Sequence, residues 1–329
     1  MKMLLLAAAA LAALAAPASA QTSDAVSGKL VLYTSQPNAD AQATVDAFKA
    51  KHPDVEVEWF RDGTTKVMAK LAAEFEAGQP QPDVLLIADT VTMEGLKQDD
   101  RLLALPNVDV SAYDPAIMDD DGTYFSTKLI TTGIVYNTGA EMKPTSWKDL
   151  LKPEAKDKIA MPSPLTSGAA TIHMIALTGH PDLGWDYYEG LADQGANPQG
   201  GNGGVYKAVA GGEKLYGFVV DFLPIRGKAD GAPVEFVFPE EGVSAVTEPV
   251  AVLKTAQNPA AAEAFVVFLL SEDGQALAAS QGYLPADPAV AAPEGFPACD
   301  AIKLMEFDPA EALKNDTGYK MRFEETFGG

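Results

Sequence analysis

The sequence predicts an α/β protein made of two blocks in which buried strands alternate with amphipathic helices. Short apolar runs are typical of buried strands, and the segments between them carry apolar residues at helical spacing. Strands that alternate with helices form mostly parallel sheets that helices cover on both faces. A third observation, an apolar start to the chain, predicts where the protein works.

The first block follows this alternation closely. Its predicted order is strand 29–33, helix 40–51, strand 55–60, helix 64–77, strand 83–88 and a helix capped by Asp89 or Thr90. Helix 64–77 shows the pattern most plainly, because Val67, Leu71 and Phe75 recur every fourth residue and form one apolar face.

The second block repeats the alternation, and segment 124–137, rich in Thr, Ile and Val, is expected to cross between the blocks. The further predicted elements are helix 146–151, strand 158–161, a helix begun by Thr166 or Ser167, helix 182–194, a glycine-rich loop 200–204 that opens helix 205–210, strands 214–220 and 234–238, a return strand 245–253, helix 259–270 and a helix capped by Ser271. No repeat of short fixed period occurs, which disfavours solenoids and propellers.

The N-terminus resembles a secretory signal peptide. Lys2 is followed by an apolar run over 3–16 and by the small residues 18–20, Ala-Ser-Ala, a pattern that a signal peptidase cleaves. The run is too short and too rich in alanine to favour a membrane anchor. Residue 21 is Gln rather than Cys, so no lipid is expected at the new terminus. The sequence therefore predicts residues 1–20 as a signal peptide and a soluble periplasmic protein.

Composition narrows the choice of partners. Of the 329 residues, 47 % are hydrophobic, which is enough for a sizeable core, and the formal net charge is −22. This charge repels nucleic acid and anionic membrane surfaces. Cys299 is the only cysteine in the sequence, so the chain cannot form an internal disulfide, and the residue is interpreted as a tolerated small side chain.

Polar residues gather where the predicted strands end. They are Ser35 and Gln36, Thr64 and Thr65, Asp89 and Thr90, Ser167 and Gly168, and Asp221, and Glu248 on the return strand joins them. Ligands of open α/β sheets lie beyond the carboxyl ends of strands, and helix starts there favour anions. Ser, Thr and Asp are also the ordinary helix caps, so capping competes with binding at each position. We expect these ten residues to contact the ligand.

The chain resembles periplasmic solute-binding proteins of ABC importers, in the group that holds ferric-ion, sugar-phosphate, thiamine and aminoethylphosphonate binders. The segments that carry the resemblance are Leu32-Tyr33-Thr34-Ser35, Gly63-Thr64-Thr65-Lys66, Pro82-Asp83-Val84 with Ala88-Asp89, Gly133-Ile134-Val135-Tyr136-Asn137, Ser163-Pro164 through Ser167-Gly168, Pro233 to Gly242, Asn258-Pro259-Ala260-Ala261 and Ser280 to Pro285. They span most of the chain.

The resemblance implies a type II periplasmic binding protein fold, with two α/β lobes joined by crossing strands around one solute. The expected boundaries are lobe 1 over 28–126 with a return segment over 251–290, lobe 2 over 127–250, and a C-terminal segment over 291–329 that packs on the lobes. It also implies an ABC permease as partner and a monomer with neither enzymatic activity nor a cofactor. Lobe closure would bury the solute and form the surface that the permease recognises.

The choice of solute depends on a departure from the ferric binders of this group. Those proteins carry adjacent tyrosines after the strand that corresponds to 214–220, where this chain has Asp221 and Phe222. Its Tyr187-Tyr188 pair has helical spacing typical of core packing. We therefore expect an anionic or zwitterionic solute of the 2-aminoethylphosphonate or sugar phosphate type, held by hydroxyl groups and paired with Asp221 and Glu248. Ferric iron and thiamine are the alternatives.

A secreted hydrolase is the competing class. The run Gly242-Val243-Ser244 lacks the last glycine of a nucleophile elbow, and no His-Glu-x-x-His motif occurs. His52, His173 and His180 do not have zinc-ligand spacing, so no metal site is predicted.

The signal peptide gives the first testable prediction. Mass spectrometry of protein purified from the periplasm should find Gln21 as the first residue, because the Ala-Ser-Ala pattern ends at Ala20. Protein recovered from the membrane fraction with Met1 still in place would contradict this localisation.

Overall fold

The computed structural model of the protein describes residues 26–297 and 301–328, so the predicted signal peptide and Cys299 lie outside the described residues. The elements of the first half are β1 (Gly28–Thr34), α1 (Asn38–Lys51), β2 (Val55–Arg61), α2 (Thr64–Glu76), β3 (Val84–Leu86), α3 (Thr90–Gln98), β4 (Tyr124–Ser126) and β5 (Lys128–Asn137). The segment Trp147–Leu151 is a 3₁₀ helix rather than an α-helix.

The second half continues the alternation to the C-terminus. Its elements are β6 (Ile159–Met161), α4 (Gly168–Gly179), α5 (Gly184–Asp193), β7 (Asn197–Pro198), α6 (Asn202–Ala210), β8 (Tyr216–Val220), α7 (Phe222–Ala229), β9 (Val234–Val237), β10 (Ser244–Val246), β11 (Pro249–Val252), α8 (Pro259–Leu270), α9 (Glu272–Ser280), β12 (Leu284–Pro285) and α10 (Pro309–Phe327).

The strands form two sheets, and each sheet with its helices is called a lobe here. The first sheet has the order β2-β1-β3-β11-β4. Its β1 pairs in parallel with β2 and β3, so the carboxyl ends of these strands meet at one edge. The return strand β11 runs antiparallel between β3 and β4.

The second sheet has the order β10-β5-β8-β6-β7, and β9 and β12 also pair with β5. Its β6 is parallel to β7 and β8, whereas β5 is antiparallel to β8, β9 and β10. Both sheets are therefore mixed, because the strands next to the crossing segments, β11 and β5, are antiparallel to their neighbours.

Two segments cross side by side between the sheets. Residues 126–128 link β4 to β5, and 246–249 link β10 to β11. The amides of Thr127 and Lys128 both donate to the carbonyl of Thr247, which ties the two crossings together. The predicted single strand 245–253 is therefore wrong at its centre, since Glu248 has a φ of 38° and the chain changes sheets there.

Each lobe has its own apolar core. In the first, Phe48 of α1 and Phe265 of α8 make an edge-to-face pair with centroids 5.0 Å apart, so α8 packs on the first sheet. In the second, Trp147 and Phe218 are fully buried around His173. Among the described residues, no helix has the length and apolar character to cross a membrane.

His173 gives a pH-dependent prediction. Its imidazole is buried, its Nδ1 lies 2.9 Å from the Ser244 hydroxyl, and burial lowers its pKa from 6.5 to about 3. The unfolded state therefore binds more protons between these pH values, so stability is lost as the pH falls below 6.5. We expect the free energy of unfolding of wild type to lose about 2 kcal/mol more than that of His173→Gln between pH 7.5 and pH 5.

Urea unfolding at both pH values measures this difference, and the same substitution at half-buried His180 serves as the matched control. Equal losses in wild type and His173→Gln would show that the imidazole is protonated inside the fold.

Candidate functional site

A cavity of about 630 Å³ lies between the two lobes. The volume is within the range of small-molecule sites and is large for a bare ion. Its polar and charged lining residues are Ser35, Arg61, Asp62, Thr64, Thr65, Lys66, Thr166, Ser167, Gln199, Asn202, Lys207 and Glu248. Both lobes contribute, because the carboxyl ends of β1 and β2 face the segments that follow β6 and β7.

Two helices begin at the cavity without a side-chain cap. The N-cap residues are Gly63 for α2 and Gly201 for α6, and glycine has no side chain that could cap the helix. The amides of Thr64 and Thr65 in α2, and of Asn202 and Gly203 in α6, donate to no protein acceptor within the described residues. Free amide donors and the helix dipole together form an anion site, and here one such site comes from each lobe.

Three cationic side chains surround these helix starts. Arg61, Lys66 and Lys207 line the cavity, and all three are exposed to it or to solvent. Asp62 offsets part of this charge, since its carboxylate lies 3.6 Å from the ammonium group of Lys66. The local charge at this end is therefore positive although the whole chain is strongly acidic.

Ser35 and Arg61 form the first-lobe wall. The Ser35 hydroxyl accepts a hydrogen bond from the Ala88 amide, which leaves its proton free to donate to a ligand. The Arg61 Nε donates to the Gln36 carbonyl at 2.6 Å, and this bond positions the rest of the guanidinium at the cavity.

Ser167 and Asn202 form the wall of the second lobe. The Ser167 hydroxyl caps α4 by accepting from the Ala170 amide and also accepts from Asn202 Nδ2 at 3.2 Å. Asn202 Oδ1 in turn accepts from the Val220 amide. The capping and binding interpretations of Ser167 are therefore compatible, because its hydroxyl proton stays available.

Glu248 lies at the crossing segment with its side chain at the cavity. One oxygen, Oε2, is 2.6 Å from Lys128 Nζ and accepts from Gln36 Nε2, whereas Oε1 has no protein partner among the described residues. Burial raises the pKa of the Glu248 carboxyl, and the Lys128 ammonium opposes that shift. The left-handed backbone of a non-glycine residue here stores strain that the surrounding bonds maintain.

Aromatic rings close the cavity near the crossing. Phe222 and Tyr283 line it with ring centroids 4.6 Å apart, and the guanidinium of Arg226 packs on both rings. Arg226 in α7 also forms a salt bridge with Asp40 in α1 at 3.0 Å, which joins the lobes. These contacts supply an apolar surface for the carbon part of a solute.

Five of the ten predicted residues line the cavity: Ser35, Thr64, Thr65, Ser167 and Glu248. The other five do not. Gln36 is buried and contacts Glu248, Asp89 caps α3 through the Thr92 amide, and Thr90 begins that helix. Gly168 begins α4 behind Ser167. Capping outweighs binding at Asp89.

Asp221 is also structural. Its carboxylate accepts hydrogen bonds from the Thr131 amide, the Thr131 hydroxyl and the Phe222 amide, so its oxygens are occupied. Burial raises its pKa to about 7. The expectation that Asp221 pairs with a solute amine is therefore wrong, because its buried carboxylate is bonded to Thr131 of β5 and is absent from the cavity wall.

Asp89 and Gly168 instead form a contact between the lobes. A Cβ at Gly168 would lie 2.6 Å from Asp89 Cβ and 2.7 Å from the Ala88 carbonyl oxygen. A Cβ at Gly63 would similarly meet the Thr166 carbonyl at 3.0 Å. The lobes are thus closed on one another at two places beside the cavity.

Lys207, Asn202 and Tyr283 also line the cavity, although the sequence pattern did not predict them. The glycine-rich run 200–204 contains the uncapped start of α6, which begins at Asn202 rather than at the predicted Val205. Lys207 follows one helical turn later, so a cation just inside that start was the available signal.

The Tyr187-Tyr188 pair packs in the second-lobe core, as the helical spacing predicted, with both side chains buried. Across residues 26–297 and 301–328, no three or more His, Cys, Asp or Glu side chains are grouped to hold a metal ion.

Comparison with known proteins places the chain in a family. Residues 29–284 match the model of bacterial extracellular solute-binding proteins. The chain belongs to this family. An uncharacterized protein of Haemophilus influenzae is 28 % identical over 282 residues, which cover 78 % of this chain and 76 % of that protein.

Two of the solved structures with a similar fold hold different ligands. The periplasmic binding protein AfuA from Actinobacillus pleuropneumoniae, with exogenous fructose-6-phosphate bound, has a TM-score of 0.81 at 24 % identity and covers 91 % of this chain and 98 % of its own. Iron-bound HitA from Pseudomonas aeruginosa has a TM-score of 0.77 at 22 % identity and covers 90 % and 99 %. These likenesses establish the two-lobed type II fold. Proteins of this family are periplasmic and deliver small solutes to ABC permeases.

The Lys128–Glu248 pair gives a stability prediction. Both side chains are almost fully buried, so removing one partner leaves an unpaired charge. We expect Lys128→Met to lower the free energy of unfolding by about 3–5 kcal/mol, and we expect the double variant Lys128→Met/Glu248→Gln to recover most of that loss.

Urea denaturation measures both values. The control is Lys29→Met, which breaks the exposed pair with Glu58 and should cost about 1 kcal/mol or less. If the double variant is no more stable than the single one, Lys128 stabilises the crossing by packing rather than by charge.

Proposed function

We propose that this protein captures a small organic solute with a phosphoryl or phosphonate group and delivers it to an ABC permease. The observation that carries the proposal is the pair of uncapped helix starts, α2 from one lobe and α6 from the other, at a single cavity with Arg61, Lys66 and Lys207. An anion between them would accept hydrogen bonds from the free amides of both lobes, so binding would favour closure.

The hydroxyl groups of Ser35, Thr65 and Ser167 support the same assignment. Phosphoryl oxygens accept several hydrogen bonds at once, and these three side chains reach the cavity from both lobes with protons to donate. The buried Thr64 contributes its backbone amide at the start of α2.

The remainder of the cavity supports an organic solute rather than free phosphate. Phe222 and Tyr283 offer apolar contact, and the unpaired Oε1 of Glu248 offers an acceptor for an ammonium or hydroxyl group. A carboxylate oxygen that a bound solute covers needs a donor, so a solute that supplies one is favoured. Both 2-aminoethylphosphonate and a sugar phosphate have these features.

Ferric iron and thiamine fit the cavity less well. Ferric ion prefers anionic oxygen donors, yet Tyr283 is the one tyrosine on the described cavity wall and it donates its proton to Asp40. Thiamine is a cation, which the three basic side chains at this end repel. We also propose that the mature chain is a periplasmic monomer that lacks enzymatic activity, with its signal peptide cleaved after Ala20.

A thermal-shift screen followed by calorimetric titration tests the solute class. The probes are inorganic phosphate, 2-aminoethylphosphonate, fructose-6-phosphate, thiamine and ferric citrate. We expect a phosphorylated or phosphonate solute to raise the melting temperature most, since a ligand at one hundred times its Kd adds about 2.7 kcal/mol to folding stability. A shift with thiamine or ferric citrate alone would overturn the proposal.

Single substitutions then locate the anion. Thr65→Val and Lys207→Met should each weaken binding of the best probe about ten- to a hundredfold, because a hydrogen bond to a charged group contributes about 1.5–3 kcal/mol. Ser167→Ala should weaken it similarly and also lose a helix cap. The matched control Lys49→Met removes an exposed lysine of α1 that does not line the cavity. Unchanged affinity in all three variants would show that these residues stabilise the structure and do not bind the anion.

A further inference from the structure

The C-terminal helix α10 contacts both lobes. It packs on α3, which belongs to the first lobe, and on α4 and α5, which belong to the second. Residues 126–128 and 246–249 are the two segments that carry the peptide chain directly from a strand of one sheet to a strand of the other. The helix is therefore a noncovalent link in addition to the crossing segments.

The C-terminal half of α10 is fixed to the second lobe. Phe323 is buried in that lobe's core beside Tyr188, and Tyr319 stacks on Trp185 at 5.8 Å with a 17° interplanar angle. Arg322 packs over the same Trp185 ring and forms a 3.0 Å salt bridge with Glu189. Large buried rings of this kind contribute several kcal/mol, so this half stays with the second lobe.

The N-terminal half of α10 rests on the first lobe through an apolar contact. Ala312 is buried in a cluster that Val91 of α3 shares with mostly second-lobe residues, and Leu313 packs against the same cluster. A Cβ built at Gly95 of α3 would lie 3.4 Å from Leu313 Cδ1, so the leucine covers the glycine face. Apolar surface buried here is exposed again if the lobes separate.

The same helix α3 begins at the lobe contact beside the cavity. Asp89 caps α3 and lies against Gly168, the first residue of α4. An opening that separated α3 from α4 would carry α10 with the second lobe, because its C-terminal half packs on α4 and α5, and would move Leu313 away from Gly95. The Leu313 contact would then stabilise the closed arrangement in the absence of a solute.

We propose that α10 is a closure strap, which holds the lobes together in the absence of solute through Leu313 on Gly95 and so sets the affinity. A solute that binds only the closed form then binds more tightly, because the closed form is already populated before the solute arrives. The proposal holds whichever solute the cavity takes.

Distance measurement between spin labels tests the strap with no solute present. Cys299→Ser removes the native thiol, and the exposed Glu76→Cys in α2 and Glu213→Cys after α6 place one label on each lobe. Wild type should show a dominant short distance. Leu313→Asp should shift most of the population to a longer one, whereas Met321→Asp, on an exposed site of α10, should not.

A compensating pair of substitutions distinguishes loss of the Leu313 contact from unfolding of the protein. Gly95→Val should open the lobes because the added side chain strikes Leu313, and Gly95→Val/Leu313→Ala should restore the short distance by making room. Circular dichroism confirms that each variant is folded. The proposal is overturned if Leu313→Asp and wild type give the same distance distribution, or if the double variant stays as open as Gly95→Val.

Discussion

The buried ion pair between Lys128 and Glu248 is the interaction on which the arrangement of this molecule depends. It lies where both crossing segments pass from one sheet to the other, and each segment contributes one partner. A buried charge without a partner of opposite sign is strongly destabilising. Neither crossing segment can therefore move away without exposing or isolating a charge. Gln36 and the Tyr283 ring complete the surroundings of the pair, which ties the first strand end to the crossings as well.

The same pair links the fold to the cavity. Lys128 occupies one oxygen of Glu248 and leaves the other facing the space between the lobes. The strained backbone of Glu248 marks the point where one strand direction gives way to another. A solute that donates a hydrogen bond to the free oxygen therefore contacts a residue of the segment that joins the two lobes.

At the opposite side of the cavity, backbone rather than side-chain chemistry dominates. Gly63 and Gly201 leave the starts of α2 and α6 open, and three basic side chains add charge around them. Positive potential is thus concentrated in a small region of a chain whose net charge is −22. The Asp89–Gly168 contact and the α10 helix hold the lobes at the separation at which both helix starts face the same space.

The sequence by itself determined the strand and helix alternation and the hydroxyl residues at Ser35, Thr64-Thr65 and Ser167, because local periodicity and cap chemistry depend on neighbouring residues. The two-lobed fold class followed from the resemblance of its segments to periplasmic binding proteins. Only the tertiary structure decided that Asp221 serves Thr131 and Phe222, that Lys207 reaches the cavity, and that Glu248 pairs with Lys128. Those outcomes depend on contacts between residues far apart in the chain. A carboxylate has the same local sequence signature whether it caps a helix, pairs with a buried lysine or faces a solute, and its partners in space decide which of these it does.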